Sequence, residues 1–324
     1  MKLAVSILAV ALVAGALSAC SPSTGVIGTV PPPSAAASFD AGPGLTPGLS
    51  DSPPSPSGSP AVGPEASPIA SQPSPSSATG TQLVRTYFVL GGPSGSSGLV
   101  ATLRKVPTSN TPATAAIDAL LAGPSASERG HQITSAIPDG SKLLGLTIKN
   151  RLATIDLSRE FESDGGSASI HNRLGQVVYT LTQFSTVHSA VFKIEGRTAS
   201  LFGSAGVTLD GPVGRADFVD QLPAIFVDRP ASGAAIGNPA RVAGSADVFE
   251  ATFRVTLLDG GGRTLVDQQV MASCGSGCRG KFDVTLRYNV PKAQWGTLRA
   301  WDGSAKDGTP ENVREYPVWL TPAG

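Results

Sequence analysis

The stretch GQVVYTLTQFSTVHSAVFKIEG, Gly175 to Gly196, decides the fold of the central part of the chain. Its first half continues an apolar stripe at helical spacing, formed by Ile170, Leu174, Val177, Val178 and Leu181. From Val187 onward the residues VHSAVFKIE are β-branched and partly alternating, which favours a strand. A helix followed directly by a strand, each with an apolar face to bury, predicts the core of a small α+β domain.

The residues before this stretch supply further elements for a domain that we place at residues 83–215. Thr111 and Pro112 are the N-cap and first residue of a predicted helix, and Gly123-Pro124 ends it. The sequence also predicts strands at Leu83–Leu90 and Leu99–Val106, a hairpin of Leu143–Ile148 with Leu152–Leu157 across Asn150-Arg151, and the central helix at Ile170–Phe184.

Four motifs in this segment occur in a specific order: LLAGPS (120–125), AIPDGSKLL (136–144), ATIDLSREF (153–161) and QVVYTLTQFSTVHSAVFKIEG (176–196). Together they resemble the GerMN domain of sporulation and spore germination proteins. The resemblance implies a compact α+β domain of cell-envelope proteins, similar in build to the ring-building modules of secretion complexes. In that family the motifs are structural, so the resemblance carries over a fold and no catalytic residue.

Residues 222–322 show short apolar runs separated by turn residues, the pattern of an all-β immunoglobulin-like sandwich. The run from Ile225 to Gly262 resembles the immunoglobulin-like domain that is often fused behind a GerMN domain. We expect Trp295, Trp301 and Trp319 to pack in the core or on a sheet face rather than to form a ligand platform. Candidate strands are Ile225–Val227, Ala240–Val242, Phe249–Leu258, Thr264–Val270, Gly280–Leu286, Gly296–Ala300 and Tyr316–Leu320.

The pattern of the first 82 residues predicts that the protein is exported and tethered to a membrane. Residues 1–20 have a short positive start at Lys2, an apolar run from Leu3 to Leu17 and then Ser18-Ala19-Cys20, which resembles the lipobox of bacterial lipoproteins. The resemblance implies lipidation of Cys20; the alternative is an ordinary secretory signal with an incidental cysteine. Residues 21–82 hold 14 of the 27 prolines and no Lys or Arg, which predicts a disordered linker that spans about 45 Å as a coil and about 190 Å when extended.

Charge and cysteine usage exclude several classes of site. The chain has 24 basic and 24 acidic side chains, so it lacks the basic footprint of a nucleic-acid-binding protein. Cys274 and Cys278 lie close together in CGSGC, which in an exported protein predicts a local disulfide. A metal site at this pair would need two further ligands, and all three histidines lie in the other domain, so we expect no metal and no cofactor.

No catalytic constellation stands out. The sequence contains no G-x-S-x-G elbow, H-E-x-x-H motif, P-loop or G-x-G-x-x-G that joins a strand to a helix. The histidines His131, His171 and His188 are scattered, which favours structural or solvent-facing roles. The acidic cluster of Asp156, Glu160, Glu162 and Asp164 is better explained as a solvated strand end and turn than as a catalytic carboxylate pair. We therefore expect a protein that is not an enzyme.

Three functional hypotheses follow. The first is a non-catalytic envelope lipoprotein, anchored through Cys20 to the outer face of the bacterial cytoplasmic membrane, whose two domains bind envelope proteins and scaffold a surface complex. By resemblance this complex is of the sporulation or germination type. The second is a module that binds peptidoglycan or another glycan through an exposed face of the sandwich. The third, and weakest, is a cell-wall hydrolase.

Overall fold

The computed structural model describes residues 80–91, 97–163, 165–203 and 206–323. The predicted signal peptide with Cys20 lies outside the described residues, as does nearly all of the predicted linker. The first strand that the structure describes begins at Thr81.

The first part of the chain alternates strands and helices. Two short 3₁₀ segments, Arg159–Glu162 and Arg215–Gln221, also belong to it. Its elements are β1 (Thr81–Gly91), β2 (Ser97–Pro107), α1 (Pro112–Leu121), α2 (Ala126–Gly130), β3 (Ile133–Thr134), β4 (Leu143–Lys149), β5 (Leu152–Leu157), α3 (Ser167–Leu181), β6 (Ser189–Ile194), β7 (Arg197–Thr198), β8 (Leu201–Phe202) and β9 (Val207–Thr208).

These strands form two main sheets. β1 and β2 are an antiparallel hairpin, and β3 pairs with β1 only at Val89 and Leu90. The second sheet has the order β4-β5-β6-β7. The β4–β5 turn at Asn150 and Arg151 has both φ angles positive, at 51° and 64°, as a two-residue hairpin loop that follows strand twist requires. β5 and β6 are parallel, and α3 is the crossover between them.

Helix α3 is the centre of the first part. Its predicted apolar stripe is buried completely, with Ile170, Leu174, Val177, Val178 and Leu181 all 0% exposed. From Arg173 to Leu181 the polar side chains are buried as well, although an amphipathic pattern predicts a solvated face. Buried polar groups need hydrogen-bond partners.

The polar face of α3 satisfies the free edge of β1. The Gln176 side chain donates to the carbonyl of Tyr87 at 3.0 Å and accepts from the amide of Ala136 at 2.7 Å. Thr180 Oγ1 accepts from the Tyr87 amide at 3.2 Å. Just beyond the helix, Gln183 accepts from the Arg85 amide and donates to the Arg85 carbonyl, both at 2.7 Å. Helix side chains therefore take the place of a neighbouring strand along this edge.

The second part is a two-sheet sandwich. One sheet has the order β10-β12-β15 and the other β11-β17-β16-β13-β14, with all neighbours antiparallel except β11 and β17. The strands are β10 (Ile225–Arg229), β11 (Ala235–Ile236), β12 (Ala240–Ala246), β13 (Thr252–Leu258), β14 (Thr264–Met271), β15 (Gly280–Leu286), β16 (Gln294–Gly303) and β17 (Pro310–Leu320). The predicted class, an α+β domain followed by an immunoglobulin-like sandwich, is confirmed.

The two parts belong to one compact unit and share one hydrophobic core. The predicted limits 83–215 and 222–322 stay predictions, because this packing sets no boundary between them. Two local expectations differ from the structure, since the central helix spans Ser167–Leu181 rather than Ile170–Phe184 and Phe249–Ala251 is a 3₁₀ turn before β13. After Gly123-Pro124 the chain forms the short helix α2.

We predict that replacing Gln176 by Leu lowers the free energy of unfolding by about 2–5 kcal/mol, since it leaves the Tyr87 carbonyl and the Ala136 amide buried without partners. Urea denaturation measures this change. The control is Asn172→Leu on the same helix, because Asn172 Oδ1 is already buried without a partner among the described residues. Equal losses in the two variants would contradict the role assigned to Gln176.

Candidate functional site

A partly buried polar cluster joins the two parts, and we call Tyr87, Tyr179, Arg215 and Asp228 the junction network. The Tyr87 hydroxyl donates to Asp228 Oδ1 at 2.6 Å, and Arg215 Nη2 donates to the same hydroxyl at 3.2 Å. The Arg215 guanidinium lies 4.6 Å from the Tyr179 ring centroid and 5.5 Å from that of Tyr87. The network therefore links β1, α3 and the 3₁₀ segment Arg215–Gln221 to β10 of the sandwich.

The surroundings of Tyr87 and Arg215 raise the pKa of both groups. Burial raises the pKa of Tyr87 well above its ordinary value, and the neighbouring Asp228 carboxylate raises it further. Burial lowers the pKa of Arg215, but Tyr87 and Asp228 outweigh that effect and leave it raised. At ordinary pH the phenol is thus a neutral donor and the guanidinium a cation.

Backbone contacts also join the two parts of the chain at this junction. The Ser232 amide donates to the Ala101 carbonyl of β2 at 2.8 Å. A Cβ atom added at Gly98 would lie 2.7 Å from the backbone nitrogen of Pro223, which is closer than any side chain tolerates. Glycine at 98 therefore lets β2 approach the start of the sandwich, and the two parts meet without an intervening spacer.

An open cleft of about 720 Å³ lies between the two parts, and we call it the tryptophan cleft. One wall comes from the sandwich and includes Trp295, Thr297 and Pro317, and the other comes from the first part. The Trp295 side chain is 54% exposed and packs edge-to-face on Trp319 at 5.3 Å between ring centroids. This is sheet-face packing, one of the two environments expected for the tryptophans, and it leaves Trp295 open to a ligand. The first-part wall consists of Leu103, Arg104, Ser125, Ser127, Glu128, His131 and Ile133.

The charged group of this cleft is the ion pair of Arg104 and Glu128. The guanidinium bonds both carboxylate oxygens at 2.7 Å, with the two side chains only 19% and 16% exposed. Glu128 also accepts from the Ser125 amide while Ser125 Oγ accepts from the Glu128 amide, a capping box that starts α2. Burial raises the pKa of Glu128, but the bonds to Arg104 and Ser125 outweigh it and hold that pKa below its ordinary value.

The structure does not bring the predicted polar candidates together as a reactive site. The rings of His131 and His171 each bond a carbonyl four residues earlier, and His188 is exposed in the loop before β6. Asp156 accepts from the Gly196 amide at 3.0 Å, which is a turn contact. Glu160 lies in a 3₁₀ turn with Glu162, and Asp164 falls outside the described residues. Hydrogen bonding from Ser158 lowers the pKa of Glu160, the opposite of what a general acid needs.

Cys274 and Cys278 lie with Cα atoms 5.7 Å apart and are paired as a disulfide. The loop that they close packs on the turn before β13. The Ser276 amide donates to the Val248 carbonyl and Ser276 Oγ accepts from the Glu250 amide, both at 3.0 Å. The pair therefore shapes a loop at one end of the sandwich.

Among the described residues no group of three or more His, Cys, Asp or Glu side chains is arranged to hold a metal ion. Within the same ranges no helix has the length and apolar composition needed to cross a bilayer.

Sequence reasoning missed both the junction network and the wall of the tryptophan cleft. Tyr87, Arg215 and Asp228 are far apart in the chain, and each taken alone is an ordinary residue in an ordinary element. The Ser125–Glu128 capping box, in contrast, has a readable signature, S-x-x-E after a helix stop. That signature predicts α2 and places Glu128, but not the opposing Arg104.

Comparison with known families gives two matches. A family model described as "Sporulation and spore germination" matches residues 85–200. A second, described as "Immunoglobulin-like domain of bacterial spore germination", matches residues 224–309. Among curated proteins none matches the chain.

Three solved structures are similar in part. The first GerMN domain of the sporulation protein GerM from Bacillus subtilis is 23% identical, covering 41% of this chain and 98% of that one, with a TM-score of 0.35. A putative lipoprotein from Clostridium perfringens is 20% identical, covering 44% of this chain and 93% of that one, with a TM-score of 0.31. The tandem GerMN domains of GerM are 16% identical, covering 64% and 61%, with a TM-score of 0.36.

We predict that Glu128→Gln lowers the free energy of unfolding by about 1–3 kcal/mol at pH 7, because it breaks a largely buried ion pair. The folded-state pKa of Glu128 is lowered, so its contribution is present above the unfolded value of about 4.3 and is lost as pH falls through the folded value. The difference between wild type and variant, measured by urea denaturation, should therefore shrink below about pH 4.

The matched control is Glu315→Gln, which removes the carboxylate of an exposed ion pair with Arg299 and should cost less than about 1 kcal/mol. A Glu128→Gln effect no larger than this, or one that persists unchanged at low pH, would show that the buried pair does not stabilise the fold.

Proposed function

The chain carries a domain of the sporulation and spore germination family followed by an immunoglobulin-like domain of bacterial spore germination, and on this premise we propose that it is a non-catalytic scaffold of the cell envelope. In this proposal the two domains act as a single rigid platform on which proteins of a germination-type surface complex assemble. Cys20 carries the lipid that holds the platform at the outer face of the cytoplasmic membrane, and the Pro-rich linker gives it reach.

The observation that carries the proposal is the junction between the domains. Domains that work separately are usually joined by exposed, flexible linkers that few contacts cross. Here the Tyr87–Asp228 hydrogen bond is partly buried, and Gly98 lies against Pro223. A surface formed by both domains therefore keeps its shape, which lowers the cost of ordering when a partner binds.

Two further observations support a binding role. The polar candidates that an enzyme needs, including His131, Asp156 and Glu160, are each engaged in local structural bonds. Neither family description names a catalytic activity. Two of the clefts in the described part of the chain lie at the domain junction, a place where ligands and partners commonly bind.

We predict that the tagged full-length chain, crosslinked at the surface of its native bacterium, enriches one or two envelope proteins over an untagged strain, as identified by mass spectrometry. Cys20→Ala should lose this enrichment and move from the detergent phase to the aqueous phase, because the protein then lacks its lipid. Ser18→Ala is the matched control, since it keeps both the small residue and Cys20.

The lipid anchor and the scaffold function would be contradicted by different results. Unchanged detergent partitioning of Cys20→Ala would remove the lipid anchor. Absence of any enriched protein in the wild type, with wall fragments recovered instead, would remove the scaffold and favour the second function.

The tryptophan cleft favours one alternative, the binding of peptidoglycan or a related glycan. An exposed indole beside charged and hydroxyl side chains offers an apolar face for a sugar ring and hydrogen bonds for its hydroxyls. Trp295 supplies the face, and Arg104, Glu128 and Ser127 supply the polar groups. These groups come from both domains, so this function would also depend on the junction.

For this alternative we predict that Trp295→Ala weakens cosedimentation of the full-length chain with purified peptidoglycan by at least about tenfold, since aromatic anchors dominate binding energy. Phe249→Ala is the control, because Phe249 is similarly exposed, at 60%, and does not line the cleft. Equal retention of wild type and Trp295→Ala, or retention no higher than that of an unrelated protein, would rule the glycan function out.

A further inference from the structure

A second cleft at the domain junction, with a volume of about 710 Å³, carries an excess of positive charge. We call it the basic cleft. Strands β10, β12 and β15 line one side, and the 3₁₀ segment Arg215–Gln221 lines the other. Its apolar lining includes Val219, Leu222, Phe226 and Phe282, and its charged lining consists of Arg215, Arg229, Arg241, Arg279, Lys281, Asp228 and Asp283.

The two carboxylates of the basic cleft are already engaged. Asp228 accepts a hydrogen bond from the Tyr87 hydroxyl at 2.6 Å. Asp283 forms an ion pair with Arg241, whose Nε lies 2.8 Å from Oδ1. Among the described residues, neither Arg229, Arg279 nor Lys281 forms an ion pair. The cleft therefore presents cations that its own acids do not neutralise.

Arg279 shows this imbalance most clearly. Its side chain is half-buried, and Nη1 donates to the backbone carbonyl of Pro223 at 3.0 Å. Burial lowers the pKa of Arg279, and the more distant Asp247, Tyr179 and Asp220 only partly offset that effect. A partly desolvated guanidinium without a carboxylate partner is stabilised when an anion binds beside it.

We propose that the basic cleft binds an acidic peptide segment of an envelope protein, a proposal that rests on the scaffold function and names the chemistry of its partner. The apolar lining accepts aliphatic or aromatic side chains of the segment, while Arg279, Arg229 and Lys281 accept its carboxylates. Guanidinium groups match carboxylates through paired hydrogen bonds, and Arg241 with Asp283 shows such a pair at the rim of the same cleft.

The apolar lining distinguishes this ligand from an anionic polymer. A poly(glycerol phosphate) chain would engage the cations but would leave the exposed side chain of Val219, which stands over the buried Leu222, Phe226 and Phe282, facing water. A peptide that mixes acidic and apolar residues fills both kinds of surface, which favours it over the polymer.

The test measures binding of a fluorescent synthetic peptide, alternating glutamate with leucine, to the detergent-solubilised full-length chain by fluorescence anisotropy. We expect saturable binding that weakens with added salt, since part of the attraction is between charges near the surface. The matched peptide with glutamine in place of glutamate should bind at least about tenfold more weakly, because it lacks the charge-assisted pairs. Equal binding of the two peptides, no binding of either, or stronger binding of poly(glycerol phosphate) would overturn the proposal.

Variants locate the site. Arg279→Gln removes the half-buried charge and should weaken binding of the glutamate peptide about tenfold. Lys281→Gln, at an exposed position, should weaken it severalfold and remains informative if Arg279→Gln disturbs folding. Arg287→Gln is the matched control, because Arg287 is exposed and does not line the cleft. Losses no larger than that of Arg287→Gln would show that the peptide binds elsewhere.

These results separate the cleft from the scaffold function. If crosslinking in cells captures a protein partner and Arg279→Gln with Lys281→Gln leaves the capture unchanged, the scaffold stands and the basic cleft is not its contact. If the peptide binds as expected but no envelope protein is captured, the cleft stands as a carboxylate-binding site and the scaffold function fails.

Discussion

The free edge of β1 is the constraint on which the rest of the structure depends. β3 pairs with β1 only at Val89 and Leu90, so the amides and carbonyls of Arg85 and Tyr87 need other partners in a region without solvent. Helix α3 and the turn after it supply these partners through Gln176, Thr180 and Gln183. The requirement fixes the rotation and height of the helix against the strand, because three polar side chains must meet two residues at once.

The position of the sandwich follows from the same strand. The backbone of Tyr87 bonds to α3, and its side chain reaches Asp228 on β10. The centroid of the Tyr87 ring lies 6.5 Å from that of the Phe226 ring. One residue of β1 thus contacts the helix through its main chain and the second domain through its side chain. The tryptophan cleft and the basic cleft depend on the same contact, because each draws its lining from both domains.

The sequence predicts the elements better than their meeting points. The apolar stripe from Ile170 to Leu181 predicts α3 because burial of that face is a local requirement, and turn chemistry at Asn150-Arg151 predicts the β4–β5 hairpin for the same reason. The polar face of α3 is misleading, because Gln176 and Thr180 have the composition of a solvated surface and their partners lie about ninety residues earlier in the chain. The clefts were beyond prediction, since Trp295 and Arg104 become neighbours only through the junction.

The place where β1 begins has a mechanical consequence. A pull on the chain before Thr81 would be applied along β1. This strand pairs with β2 from Thr81–Pro107 to Gly91–Ser97, and the hydrogen bonds between the two strands are perpendicular to the pull. Bonds loaded in this way share a force instead of opening one after another. If a partner held the sandwich, tension applied before Thr81 would reach it across the junction, where both β1 and β2 contact the second domain.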